Sequence, residues 1–331
     1  MRGNSGLMRR TGGNLFVFMF FVTMLSSGHA SVPKYRDFDF DYNFTIKDIP
    51  SSASDIKVWI PYPPSTPYQS VEESSSNISE LFSITQDKVY KNRLLYSAIK
   101  SPKDSSIEFD IRYRVRRNEY SHRPPASGKK KDIPLSPGLE KYLKPSKFIT
   151  LSPRVRQLAV SITQGKSTTI DKARTIYDYV FENMTYNKTI PGWGFGDTER
   201  ACDVKTGNCT DFHSLFISLC RASGIPAKFF IGTKLPKKSK GEVGYHCWAE
   251  FYVNGFGWVP VDISEAWKNQ SKKEYYFGAL SEDYMEFTQG RDIILEPAQN
   301  GRPLNYLIYP YVEIDGEVYD RVEVVFEFSN I

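Results

Sequence analysis

The sequence predicts an α+β fold, with helices packed on an antiparallel sheet and a small all-β domain in front of them. Three observations predict it. Residues 31–117 contain strict alternation, such as Phe38, Phe40, Tyr42, Phe44 and Ile46 set among charged and polar neighbours, which is the period of a half-buried strand. Residues 152–222 instead place apolar side chains at helical spacing. From Tyr245 onwards, aromatic and β-branched runs flank a glycine-rich turn, the pattern of an antiparallel hairpin.

The chain has 331 residues, enough for two or three domains with buried cores. Its first 30 residues read as a secretory signal. Arg9 and Arg10 precede an apolar run from Leu15 to Leu25, and Gly28-His29-Ala30 supplies small residues for a cut after Ala30. The run is short for a membrane span; an uncleaved anchor is the alternative. The mature protein is therefore expected outside the cytoplasm, periplasmic or secreted, with no integral membrane segment. The formal charge of +5 includes three arginines of this leader, and without it 40 basic residues face 38 acidic ones. No nucleic-acid partner is indicated.

Residues 31–117 form the expected β domain, with further strands at Ile56–Ile60, 88–99 and 106–115. Residues 118–147 read as a linker, because Pro124, Pro125, Gly128, Lys129–Lys131, Pro134 and Pro137 interrupt any periodicity. Residues 148–331 form the second domain. Ser152-Pro153 opens a helix carrying Val155, Leu158, Ala159 and Ile162, and Thr169 opens another carrying Ala173, Ile176, Tyr177 and Val180. Alternation returns at 322–328, and the strands after residue 290 are expected to complete the sheet of this second domain. Residues 265–273 read as a polar connection.

The chemistry concentrates between Trp193 and Asp262. Gly207-Asn208-Cys209-Thr210-Asp211-Phe212 runs into Leu215, Phe216 and Leu219, with Gly224 and Pro226 as stop signals. This predicts a helix from near Cys209 to near Ala222. A thiol at a helix N-terminus sits beside unpaired N–H groups and the positive end of the dipole, both of which favour thiolate. In the hairpin, His246, Trp248, Glu250 and Tyr252 share one face, as do Trp258, Pro260 and Asp262. A turn centred on Asn254 or Gly255 puts Asp262 opposite His246 or one diagonal step away. Cysteine, histidine and an orienting acid outline an acyl-transfer site.

These residues resemble the core of the transglutaminase-like superfamily, a variation on the papain-like fold. Gly207-Asn208-Cys209-Thr210-Asp211, Arg221-Ala222-Ser223-Gly224-Ile225-Pro226-Ala227, His246-Cys247-Trp248-Ala249-Glu250 and Gly257-Trp258 leading to Asp262 occur in that family's order. The resemblance implies Cys209 as nucleophile, His246 as general base and acid, and Asp262 as the group orienting the imidazole. It further suggests Tyr186 or Trp193, upstream of the cysteine, as oxyanion donor or cleft wall beside the Cys209 N–H. Trp59-Ile60-Pro61-Tyr62-Pro63 and the tail Gly290-Arg291-Asp292 to Gly316 are similar to exported bacterial members with an N-terminal β domain.

Several residues compete for roles. His213, one turn after Cys209, points along the helix flank and is read as a packing or supporting residue. Asp211 is read as a helix-capping acid. Glu250 either steers substrate or is solvated. Of the cysteines, Cys220 reads as a buried hydrophobe, and Cys202 with Cys247 is the disulfide to test first. Spacings of seven and eleven between Cys202, Cys209 and Cys220 hold no Cys-x-x-Cys pair, so no metal site is expected, nor any organic cofactor. Six Asn-x-Ser/Thr sequons occur, and a glycan on Asn208 would crowd Cys209.

The expected function is an exported cysteine enzyme acting on amide bonds of a peptide or protein, cell-wall peptides among the candidates, through a thioester. Water as second nucleophile makes it a peptidase or amidase, the favoured reading because no lysine-accepting subsite is visible. An amine would make it a cross-linking transglutaminase. A non-catalytic binding protein that keeps the fold is the alternative from another class.

Overall fold

The computed structural model describes residues 34–78, 81–124 and 137–331. The expected leader and the lysine run 129–131 lie outside these residues. Five α-helices are described: α1 (Pro153–Ile162), α2 (Thr169–Asn183), α3 (Thr198–Val204), α4 (Cys209–Ala222) and α5 (Ile263–Lys268). None is long and apolar enough to cross a membrane.

Helix α4 organises the second half of the chain. Every residue from Cys209 to Arg221 is buried, as expected of a helix enclosed on all sides. Helices α1, α2 and α3 pack around it, and its remaining face lies on the central sheet. That sheet is antiparallel throughout, in the order Gly257–Val261, Tyr245–Val253, Ala227–Lys234, Tyr284–Gln289. Phe216 of α4 meets Phe251 of the sheet edge to face at 6.2 Å. The helix begins and ends where its signals place it. Asn208 caps the N-terminus, and Gly224 follows the last turn at φ +77°.

The described residues from 34 to 121 are all β, but their sheets are not built from their own strands alone. One five-stranded sheet runs Lys240–Glu242, Val322–Asn330, Tyr35–Ile46, Ile107–Asn118, Gln69–Ser76; the other runs Glu317–Tyr319, Tyr311–Ile314, Asp55–Tyr62, Arg93–Lys100, Ser83–Gln86. The expectation that the tail completes the central sheet is thus corrected. Tyr284–Gln289, which precedes that tail, fills the place, while Phe328 pairs with Phe40 and Val312 with Val58. Alternation tells which face of a strand is buried, not which partner it pairs with.

Strand Tyr35–Ile46 shows the alternation at work. Phe38, Phe40, Tyr42, Phe44 and Ile46 are buried, with Phe44 stacked on Phe109 at 4.5 Å. On the opposite face Asp37, Asp39 and Asp41 pair with Arg116, Arg114 and Arg112 of the neighbouring strand at 2.7, 3.0 and 2.5 Å. Within the expected linker, Tyr120–Ser121 pairs with Ala279–Leu280.

Candidate active site

The hairpin brings the acid to the histidine. Val253 pairs with Gly257 and Ala249 with Val261, so the turn is centred on Gly255, at φ +75°. Asp262 then falls one diagonal step from His246, and His246 Nε2–H donates to Asp262 Oδ2 at 2.6 Å. The thiol of Cys209, at the first position of α4, lies close enough to the imidazole for the two to interact electrostatically. All three residues are buried: Cys209 is 2 % exposed, His246 6 % and Asp262 0 %.

The electrostatics suit an ion pair. Burial works against the Cys209 thiolate, but hydrogen bonds from Cys247 and His246 and the charge of His246 hold the thiol well below its ordinary range. Burial likewise opposes the His246 cation, yet the charge and hydrogen bond of Asp262, with those of Cys209, raise it to about 9. Burial is outweighed at Asp262 too, where His246 keeps the carboxyl far below its usual value.

Asp262 is held by more than the histidine. Tyr284 donates its hydroxyl to Oδ2 at 2.6 Å, and Oδ1 accepts from Ser264 Oγ and from the Glu265 N–H, both at 2.9 Å. The last bond makes Asp262 the N-cap of α5, a helix lying where the sequence suggested a polar connection. At six residues it is too short to show a period, and its cap was legible only as a catalytic acid.

His213 supports the site from within α4. Its Nδ1–H donates to the Cys209 carbonyl at 2.7 Å, and its Nε2 accepts the Ile263 N–H at 3.1 Å. Those two bonds require the neutral ring, and burial lowers its pKa. It is therefore tied between the Cys209 and Asp262 ends of the site and has no free nitrogen for a substrate.

Asp211 closes the turn before α4. Its carboxylate accepts from the N–H groups of Asn208 (2.8 Å), Gly194 (2.8 Å) and Gly196 (3.1 Å), so the capping acid also anchors the glycine-rich loop. Gly196 has φ +66°, and a Cβ there would lie 2.3 Å from Ser214 Oγ. Arg291, buried, fastens the same corner by donating to Ser214 Oγ at 2.7 Å and to the Phe195 carbonyl at 2.6 Å. Sequence reasoning assigned Arg291 no such role, because nothing local links residue 291 to residue 214.

The two proposed oxyanion or cleft residues differ. Tyr186 is half-buried and close enough to Cys209 for their charges to interact, with Lys268 over its ring at 4.2 Å. Burial first, then Cys209, pushes its hydroxyl up to about 12. Trp193 lies under Lys188, 5.5 Å from its ring centroid. Tyr245, which the motif did not single out, accepts from Asn208 Nδ2 at 2.7 Å and also senses the Cys209 charge. Glu250 is buried and pairs with Lys228 at 3.3 Å, which removes the solvated reading.

The cysteine expectation is corrected. All four are free thiols. Cys247 is turned towards Cys209 and Thr210, with Thr210 Oγ1 at 3.3 Å from its sulfur, while Cys202 lies on α3. Asn208 is 1 % exposed and its side chain caps α4, so its sequon offers no glycan site in the folded chain.

A cysteine at a buried helix tip, a histidine beside it and an aspartate that orients the ring on an antiparallel sheet form the outline also found in papain-like cysteine-dependent enzymes. Residues 156–263 match the model of the transglutaminase-like superfamily. A candidate cysteine protease from Cytophaga hutchinsonii shares the fold at TM-score 0.58, with 16 % identity over 90 % of this chain and 91 % of that one. A Haemophilus influenzae protein is 27 % identical over 88 % of this chain and 91 % of its own length. Bacillus subtilis YebA is 30 % identical over 37 % of this chain, covering 19 % of YebA.

Proposed function

We propose that the chain is an exported amide hydrolase of peptides or proteins, with Cys209 as nucleophile, His246 as acid and base, and Asp262 as the group that orients the ring. The observation that carries this reading is a single imidazole that bonds Asp262 Oδ2 and stands close enough to the Cys209 thiol for their charges to interact. In this scheme the Cys209 thiolate attacks the amide carbonyl carbon, and the C=O electron pair moves to oxygen. The oxyanion meets the N–H at the start of α4, where the helix itself supplies no acceptor, with Tyr186 as side-chain candidate. Collapse breaks the C–N bond while His246 gives its proton to the leaving amine. Water then attacks the thioester, His246 takes its proton, and the carboxylic acid leaves as the thiolate returns. Export rests on the leader read in residues 1–30, and cell-wall peptides are the first substrates to try.

The test is incubation with blocked peptide amides, with and without a primary amine, read by mass spectrometry in wild type and Cys209→Ala. Cleavage to the free acid that the variant loses supports the hydrolase. Amine incorporation in preference to water makes the protein a cross-linking transferase. No acyl transfer in either format, with a thiol as unreactive as free cysteine, moves the reading to a binding protein. Sequencing the N-terminus of exported protein checks the cut after Ala30.

A further inference from the structure

A second charged cavity, of about 250 Å³, lies where the central sheet meets strand Ile107–Asn118. Trp248, Glu250 and Phe230 line it from the sheet face that carries His246, and Arg117 lines it from the neighbouring strand. Its two cations differ in their partners. Lys228 is satisfied, 3.3 Å from Glu250 Oε2 and 3.8 Å above the ring of Trp258. Arg117 is 2 % exposed, its Nε has no hydrogen-bond partner, and among the described residues its guanidinium forms no ion pair. Glu286, within the field of Arg117 and Glu250, also forms none there; burial above all, with Glu250, pushes it up to about 7.

A buried guanidinium with an unpartnered Nε and no ion pair is costly, and an anion brought to it relieves that cost. A simple anion such as phosphate is disfavoured here, because Glu250 and Glu286 share the cavity. A ligand carrying both signs meets no such conflict. The parallel rings of Phe230 and Trp248, 5.8 Å apart at 3°, add a flat apolar wall. The volume lies below the ~300–1,000 Å³ of pockets for drug-sized ligands, which suits a single small metabolite.

We propose that this cavity binds a free α-amino acid as its zwitterion, the carboxylate on Arg117, the ammonium facing Glu286, and the side chain along Trp248. The site is independent of the hydrolase reading. It nevertheless backs onto the candidate triad, since Trp248 packs edge to face on Tyr284 at 5.4 Å, and Tyr284 holds Asp262.

Trp248 and Trp258 both line the cavity, so intrinsic fluorescence titration of the full chain, checked by calorimetry, reads occupancy without any activity. The probes are the L-amino acids, their amides, their N-acetyl forms and inorganic phosphate. The expected result is saturation by at least one amino acid, with amide, N-acetyl form and phosphate each weaker by about tenfold or more. Arg117→Gln and Glu286→Gln, each verified as folded by circular dichroism, weaken binding to a similar degree; Glu286→Gln keeps the test decisive if the arginine variant does not fold. Alkylating Cys209 beforehand leaves the affinity unchanged. No saturation by any amino acid at ~10 mM, equal binding of blocked forms or phosphate, or loss of binding on Cys209 alkylation would each overturn the proposal, the last by placing the ligand in the triad cleft.

Discussion

Tyr284 and His246 bond the same oxygen of Asp262, each at 2.6 Å. The tyrosine comes from the strand at the far edge of the central sheet, two strands away from the histidine. Its hydroxyl is pushed well above its ordinary pKa, by burial first and then by Asp262, so it remains a donor at any working pH. A fixed donor of this kind stabilises the carboxylate and sets its rotamer, which in turn sets the imidazole. Tyr284→Phe is expected to destabilise the protein by about 1.5–3 kcal/mol, the range for a hydrogen bond to a charged group. Urea denaturation at pH 7 measures it, and a loss below about 0.5 kcal/mol would remove Tyr284 from the support of Asp262.

The ion pair predicts how the Cys209 thiol titrates. An unperturbed thiol has a pKa of about 8.5, whereas Cys209 is held well below the ordinary range against its burial by Cys247 and His246. The pH midpoint of Cys209 alkylation by iodoacetamide should therefore lie well below that of a free thiol in wild type. His246→Ala should raise it towards that of a free thiol. The midpoint is the right observable because burial of Cys209 slows labelling at every pH alike. An unchanged midpoint in the variant contradicts the pair.

Asp211 offers a sharper stability test than most helix caps. Three backbone N–H groups, from Asn208, Gly194 and Gly196, depend on its two oxygens. Asp211→Ala leaves them buried without an acceptor, an expected loss of about 2–4 kcal/mol. Asp211→Asn keeps one acceptor oxygen and should lose less. Thermal denaturation of both variants decides, and equal losses would show that only the charge matters.

Glu286 should make stability fall with rising pH. Its pKa in the folded chain is raised to about 7 from 4.5, so the folded state binds the extra proton between those values. Stability carried by its neutral form is complete below about 4.5 and is lost as pH rises through about 7. Glu286→Gln removes this contribution, so the variant should gain on wild type by about 1–3 kcal/mol between pH 5 and pH 8. Paired urea titrations at the two pH values measure the change, and a difference that does not move with pH contradicts it.

Most of α4 and the hairpin was legible in the sequence, because both are local. Asn208, Cys209 and Asp211 write the start of a helix within a few residues, and a turn centred on Gly255 fixes the register that carries Asp262 to the diagonal of His246. The α+β class and the helices opening at Ser152-Pro153 and Thr169 follow from the same short-range rules of period and capping.

What only the tertiary structure decided is pairing across long sequence separations. Alternation at 322–328 announced a strand but not that Val322–Asn330 returns to Tyr35–Ile46. Nor could it place Tyr284 on Asp262, Arg291 on Ser214, or Cys247 beside Cys209 in place of Cys202. A side chain's own neighbours set its face and its secondary structure. Its partner across the core is chosen by how whole sheets and helices pack together, and no local pattern encodes that choice.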